Sequence, residues 1–162
     1  MRLFLLICTL LPLQWAFSQT LKTTFSHDWD RWEIDGKTFK TVFSDDYGSW
    51  ECGNVRLKTT FSKDWDNWSV GSSTTLKTTF SDDYEKWEVR GNGKTVYVRV
   101  TFSDDFSRWE VSGDATGTMK TTFSKTYDRW DIQVDFKQLP EEMKAAILFV
   151  PIYTSFSIHL KK

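Results

Sequence analysis

An eight-residue motif, Phe-Ser-x-Asp-aromatic-x-x-Trp, occurs six times in this chain, with Thr126 replacing the Asp in the sixth copy, and its spacing leaves few folds open. It occupies residues 25–32 (FSHDWDRW), 43–50 (FSDDYGSW), 61–68 (FSKDWDNW), 80–87 (FSDDYEKW), 102–109 (FSDDFSRW) and 123–130 (FSKTYDRW). The motif Phe residues lie 18, 18, 19, 22 and 21 residues apart. A motif recurring at about 20 residues marks a repeat architecture with one supersecondary unit per repeat.

Each unit reads as a β-hairpin. The run Leu21-Lys22-Thr23-Thr24-Phe25 alternates apolar and polar residues, as does the return Trp32-Glu33-Ile34. Period-two alternation of β-branched and aromatic residues is the pattern of a half-buried strand. If each motif Trp pairs with the first apolar residue of the next repeat, the pairs are Trp32–Phe39, Trp50–Leu57, Trp68–Leu76, Trp87–Val98 and Trp109–Met119. This one rule places a glycine-containing turn in all five hairpins: Asp35-Gly36, Gly53-Asn54, Gly71-Ser72-Ser73, Asn92-Gly93 and Gly113-Asp114-Ala115. Gly and Asn accept the positive φ that tight hairpin turns require.

Between Phe and Trp, Ser and the following acids predict a capped single turn of helix, with the central aromatic folded back over the sheet end. The expected register sets Phe25 opposite Trp32, so that six Phe and six Trp share one apolar face and Lys and Glu form a diagonal lattice on the other. Six hairpins supply about twelve short antiparallel strands. About 26 residues follow Phe136, too few for a second layer of equal size. The predicted fold class is therefore all-β: an antiparallel meander curled into a barrel or half-barrel, aromatics inside. A propeller is excluded, because a four-stranded blade does not fit in about 20 residues.

The ends of the chain differ from the repeats. Residues 1–18 combine Arg2, an apolar run over 3–13 and small residues at Ala16 and Ser18, the pattern of a signal peptide cut before Gln19. The predicted division is a signal peptide (1–18), a six-repeat β domain (19–136) and a C-terminal hydrophobic capping segment (137–162). In that last segment Pro140 and the acids after it start a helix, Pro151 ends it, and 153–160 alternates as a strand that plugs the barrel end or crosses its seam. A membrane span there is disfavoured by length. An outer-membrane barrel is disfavoured by strands of five to seven residues, where about nine to eleven are needed.

Net charge is −1 on 21 basic and 22 acidic residues, with no basic run, which excludes a nucleic-acid footprint. Removal of residues 1–18 leaves Cys52 as the one cysteine, in a slot held by Ile or Val in the other repeats, so it reads as a small buried hydrophobe. His27 and His159 stand apart from any Cys or acidic cluster, and no nucleophile elbow, phosphate loop or Cys-x-x-Cys is present. The chain thus reads as a non-enzyme without cofactor or metal. Adjacent pairs stand at Asp45-Asp46, Asp82-Asp83 and Asp104-Asp105, and each of the other turns carries at least one acid, which suits capping better than a single acid–base pair or a calcium loop. Asn67-Trp68-Ser69 is a formal glycosylation sequon on a core position.

The turn aromatics Trp29, Tyr47, Trp65, Tyr84, Phe106 and Tyr127 are the candidate ligand-binding residues. Aromatic faces beside carboxylates are a common way to bind sugars, and repetition confers multivalency. With these residues in view, three resemblances can be stated. The signal-like start and the repeats resemble exported β-repeat proteins of the Bacteroidetes type. The stretch Ser44-Asp45-Asp46-Tyr47-Gly48-Ser49-Trp50 loosely resembles the Asp-box of sialidase-type propellers, one residue short. The hairpin with its leading Trp resembles choline-binding repeats, whose Gly-Trp pair and adjacent Tyr residues are absent here, so no ligand site carries over. Together these lead to the expectation of an exported protein, periplasmic, cell-surface or extracellular, with a structural or interaction role. Its expected partners are a glycan or another cell-surface protein, and no membrane span remains after cleavage. The alternative is a carbohydrate or small-ligand module using the turn aromatics on one rim.

Overall fold

The computed structural model describes residues 18–160 apart from residue 137, so the signal-peptide reading of 1–18 lies almost wholly outside the described residues. Twelve strands, β1 (Gln19–Thr23), β2 (Arg31–Ile34), β3 (Lys37–Thr41), β4 (Ser49–Cys52), β5 (Val55–Thr59), β6 (Asn67–Val70), β7 (Thr74–Thr78), β8 (Lys86–Gly91), β9 (Lys94–Val100), β10 (Arg108–Gly113), β11 (Thr116–Phe123) and β12 (Thr126–Asp135), are followed by one helix, α1 (Glu141–Leu160). Each strand pairs antiparallel with its sequence neighbours, and β1 pairs with β12 from Gln19↔Ile132 to Lys22↔Arg129, which closes the barrel.

The register across the glycine turns is the one that turn chemistry predicts. Trp32 stands opposite Phe39, Trp50 opposite Leu57, Trp68 opposite Leu76, Trp87 opposite Val98 and Trp109 opposite Met119. Asp35 and Gly36 both have positive φ (47° and 74°), as do Asn92 and Gly93 (51° and 72°), the signature of a type I′ turn. The six motif Trp side chains are all but fully buried. Cys52 is a buried free thiol, and burial pushes its pKa up to about 11, which keeps it protonated and inert.

At the motif-turn end the expected register shifts by two residues. Thr23, not Phe25, stands opposite Trp32, and Thr41, Thr59, Thr78, Val100 and Thr121 stand opposite the Trp of their own repeats. The motif Phe residues are therefore outside the core: Phe25, Phe43, Phe61, Phe80, Phe102 and Phe123 are 60–70% exposed. The link is also not a helical turn. The N–H of Asp28 donates to Phe25 O at 3.1 Å, and the same bond recurs from Asp46, Asp64, Asp83 and Asp105. In this tight turn the third motif residue (His27, Asp45, Lys63, Asp82, Asp104, Lys125) has φ between 58° and 64°. In the second to fifth repeats the acid after it forms an Asx turn, as where Asp46 Oδ1 accepts from Gly48 N at 3.1 Å and Asp83 Oδ1 from Glu85 N at 3.1 Å. The carboxylates thus cap backbone N–H groups as expected, within turns instead of a helix. On the outer wall the same shift brings Lys and Glu directly opposite each other, with Lys40–Glu51 at 2.9 Å, Lys77–Glu88 at 3.4 Å and Arg99–Glu110 at 2.9 Å.

The C-terminal segment is one helix of 20 residues that continues through Pro151 to Leu160, so the stretch expected as a strand over 153–160 is helical. Its first turn lies at the glycine-turn rim, where Glu141 pairs with Lys37 and Glu142 holds Ser72 and Ser73. Its last turn lies at the opposite rim, where His159 stacks on Trp29 with centroids 4.0 Å apart. Twenty residues rise about 30 Å, and every residue from Ala145 to Phe156 is buried. A helix buried on all sides, contacting β5 to β8 and β12, threads the barrel lumen. It does not simply cap one end. By length and composition it could cross a membrane, but 72% of its most apolar window is buried inside the barrel.

Closure explains why a helix wins over Pro151. A sealed ladder has no edge for a thirteenth strand, and a segment packed among the apolar side chains of the lumen must bond its backbone groups within itself. Hydroxyls support the backbone beside the proline, with Thr154 Oγ1 donating to Val150 O at 2.9 Å and Ser155 Oγ to Pro151 O at 2.6 Å. Barrels with more than about eight strands leave a lumen that wall side chains alone do not fill. Here Phe149 packs edge-on to Trp68 at 4.7 Å and to Trp50 at 5.5 Å, and Tyr153 edge-on to Trp87 at 5.1 Å.

Candidate functional site

The six turn aromatics named from the sequence all lie half-buried on one rim, each 5.9–6.1 Å from the Trp of its own motif. Their positions are set through the backbone. The indole N–H of Trp32, Trp50, Trp68, Trp87 and Trp130 donates to the carbonyl of Trp29, Tyr47, Trp65, Tyr84 and Tyr127 respectively, at 2.8–3.2 Å. The buried N–H of Trp109 makes no such bond to Phe106 and has no acceptor. Carboxylates then tie one turn to the next. Asp66 Oδ2 accepts from Ser81 Oγ and Asp82 N, both at 3.1 Å, and Glu85 Oε1 accepts from Asp104 N at 2.6 Å.

The end of α1 divides this rim into separate clefts, so the six aromatics do not act as one row. Tyr47, Trp65 and Tyr84 come together with Tyr153 and Phe156 of the helix around a cleft of 360 Å³, with Asp45, Asp46, Ser157 and Leu160 completing its wall. Ring centroids lie 4.9 Å apart for Tyr47–Phe156, 5.5 Å for Tyr84–Tyr153, 6.4 Å for Trp65–Phe156 and 5.2 Å for Tyr153–Phe156. Phe106 lines a smaller cleft of 210 Å³ with Tyr84, Tyr153 and Ile158. Tyr127 borders a polar one with Asp104, Lys125 and His159. Trp29 is covered by His159.

Among the described residues, the electrostatics around the 360 Å³ cleft are one-sided. Its three repeats carry seven carboxylates in their motif turns against Lys63 and Lys86. Lys86 already reaches Asp83 at 3.7 Å and lies 6.0 Å from the Phe80 ring centroid. Burial pushes the phenol pKa of Tyr47 upward, as does its hydrogen bond with Asp30. Burial likewise raises that of Tyr84, whose hydroxyl engages Tyr153 and Asp66, and that of Tyr153, which the nearby Tyr84 hydroxyl raises further. All three stay neutral phenols across the physiological range. Among the described residues no group of three His, Cys, Asp or Glu side chains is placed to hold a metal ion.

Two elements of this rim escape a reading of the sequence. Alternation over 153–160 places Tyr153 and Phe156 in a strand, although their i, i+3 spacing, with Phe149 one turn before, is a helical stripe. The exposed Phe ring was assigned to the core, because strand alternation runs without a break from Leu21 through Thr23 to Phe25. Compared with protein-family models, curated proteins and solved structures, the chain matches none.

Proposed function

We propose that the chain is an exported, non-enzymatic binding protein whose repeats build a rigid barrel and present the motif-turn rim to a glycan or another cell-surface protein. The observation that carries this reading is the ring of Phe25, Phe43, Phe61, Phe80, Phe102 and Phe123, six large apolar side chains left 60–70% exposed at equivalent positions. Scattered exposed hydrophobes are ordinary, but a repeated ring of them on one rim marks an interaction surface. Support also comes from the interior, where α1 fills the lumen, and from the outer wall, where the Lys–Glu ladder is a solvated face. Export is in keeping with a first strand that begins at Gln19, immediately after the small residues of the leader-like start.

A glycan array and cross-linking to purified cell-surface proteins, each run with the wild type and with a Phe43→Ser, Phe61→Ser, Phe80→Ser triple variant, test the proposal. The expected result is binding by the wild type that falls at least tenfold in the variant, with the melting temperature nearly unchanged. Equal binding by both proteins, or no binding on either platform, overturns it. A second reading, a carbohydrate or small-ligand module using turn aromatics, is favoured by the cleft that Tyr47, Trp65 and Tyr84 form with the helix.

A further inference from the structure

The cleft between the turns of repeats two, three and four and the last turns of α1 contains five aromatic rings, Tyr47, Trp65, Tyr84, Tyr153 and Phe156, with the carboxylates of Asp45 and Asp46 at its edge. Among the described residues no Lys, Arg or His lines it. Its volume of 360 Å³ is at the small end for ligand pockets, so it suits a compact ligand or one terminal group of a larger one.

Lining chemistry narrows the class. A sugar needs several donors and acceptors aimed at its hydroxyls. Here the polar groups are two carboxylates and Ser157, while the Tyr47 and Tyr84 hydroxyls are already engaged with Asp30 and Asp66. A metal ion or a primary ammonium needs oxygen ligands around it, which aromatic faces do not supply. A simple apolar ligand would draw nothing from seven carboxylates in the surrounding turns. An alkylated ammonium fits all three observations. It has no N–H to satisfy, it sheds water cheaply, its charge is attracted to ring faces, and neighbouring acids raise its local concentration. Phenols that donate to carboxylates also have more electron-rich faces.

We propose that this cleft is a binding site for an alkylated ammonium group, caged by Tyr47, Trp65, Tyr84, Tyr153 and Phe156 and attracted by Asp45 and Asp46. The proposal rests on the second reading above, that the cleft holds a small ligand, and is independent of the exposed Phe ring. The same chemistry occurs free in solution, on a zwitterionic lipid headgroup and on a methylated lysine.

Isothermal titration of the whole protein with choline and with 3,3-dimethylbutan-1-ol, its neutral isostere, tests the charge requirement. Choline is expected to bind with Kd below about 1 mM and the isostere at least about tenfold more weakly. Trp65→Leu should weaken choline at least about tenfold, and Asp45→Asn with Asp46→Asn severalfold. Asn at position 46 keeps an oxygen for the Gly48 N–H, and circular dichroism checks that each variant is folded. Parallel titrations use phosphatidylcholine vesicles and a trimethyl-lysine peptide. Binding of any of the three probes with this dependence on Trp65 and the two acids supports the proposal, and the tightest identifies the source. Equal binding of choline and its isostere overturns it. Binding of glucose or N-acetylglucosamine, with none of the cationic probes, overturns the ammonium assignment while leaving a ligand cleft in place. No binding by any of these probes overturns both.

Discussion

Glu142, in the first turn of α1, clasps Ser72 in the β6–β7 turn with one carboxylate oxygen, accepting from its N–H at 2.9 Å and its hydroxyl at 3.2 Å. The other oxygen accepts from Ser73 N at 3.2 Å and Ser73 Oγ at 2.9 Å. This contact spans 70 residues of sequence and fixes the depth at which the helix sits in the lumen. The backbone N–H of Ser72 and the bonds from Ser73 hold the Glu142 pKa down at about 2, against 4.5 for an ordinary glutamate. Between those two values the unfolded chain binds more protons than the folded one, so stability rises with pH across that window. The contribution is complete above about pH 4.5 and disappears as pH falls to about 2. Glu142→Gln should lower neutral-pH stability by about 1 kcal/mol, since the clasp is partly solvated. Urea melts at pH 7 and pH 3 check this: the gap between wild type and variant should narrow at pH 3.

Gly71, next to that turn, is confined twice over. Its φ is +60°, and a Cβ there would lie 2.1 Å from Glu142 Oε1. Gly71→Ala should therefore cost about 1–2 kcal/mol for the left-handed backbone and more for dislodging the clasp. In a Glu142→Ala background only the backbone cost remains. A double-mutant cycle should show the two substitutions to be clearly less than additive.

Trp68 and Trp109 occupy equivalent buried positions but differ in one bond. The Trp68 N–H donates to Trp65 O at 2.9 Å, whereas the Trp109 N–H has no acceptor. Replacement of each by Phe removes similar apolar bulk, so their difference isolates the indole bond. Trp68→Phe should destabilise by about 1 kcal/mol more than Trp109→Phe in equilibrium denaturation.

Phe80 and Phe149 predict opposite outcomes for the same change. Phe80 is 63% exposed, and Phe80→Ala should alter stability by less than about 0.5 kcal/mol. Phe149 is fully buried against Trp50 and Trp68, and Phe149→Ala should cost about 3–5 kcal/mol. A large loss for Phe80→Ala would place that ring in the core after all.

What could be read in advance depended on local chemistry. Asp35-Gly36, Gly53-Asn54 and Asn92-Gly93 specify turns with positive φ, and a turn of known length fixes which residue faces each Trp. The motif turn carries no comparable signal. Its left-handed residue is His, Asp or Lys with no glycine among the six, so nothing marked where strand alternation stops before Phe25. The candidate cleft was half legible for the same reason: Tyr47, Trp65 and Tyr84 stand out by repetition, while Tyr153 and Phe156 occur once, after a proline that normally ends a helix.

The amino-acid sequence alone determined a meander of twelve strands, its glycine-turn register and its buried Trp layer, because those follow from period-two patterning and two-residue turns. Only the tertiary structure decided that the sheet seals through β1 and β12, and everything else follows from that closure. A sealed wall offers the C-terminal segment no edge to join, and the segment is packed among apolar side chains, so it must satisfy its hydrogen bonds alone and becomes a helix in the lumen. That helix then fills the centre, and six phenylalanines remain outside it in solvent.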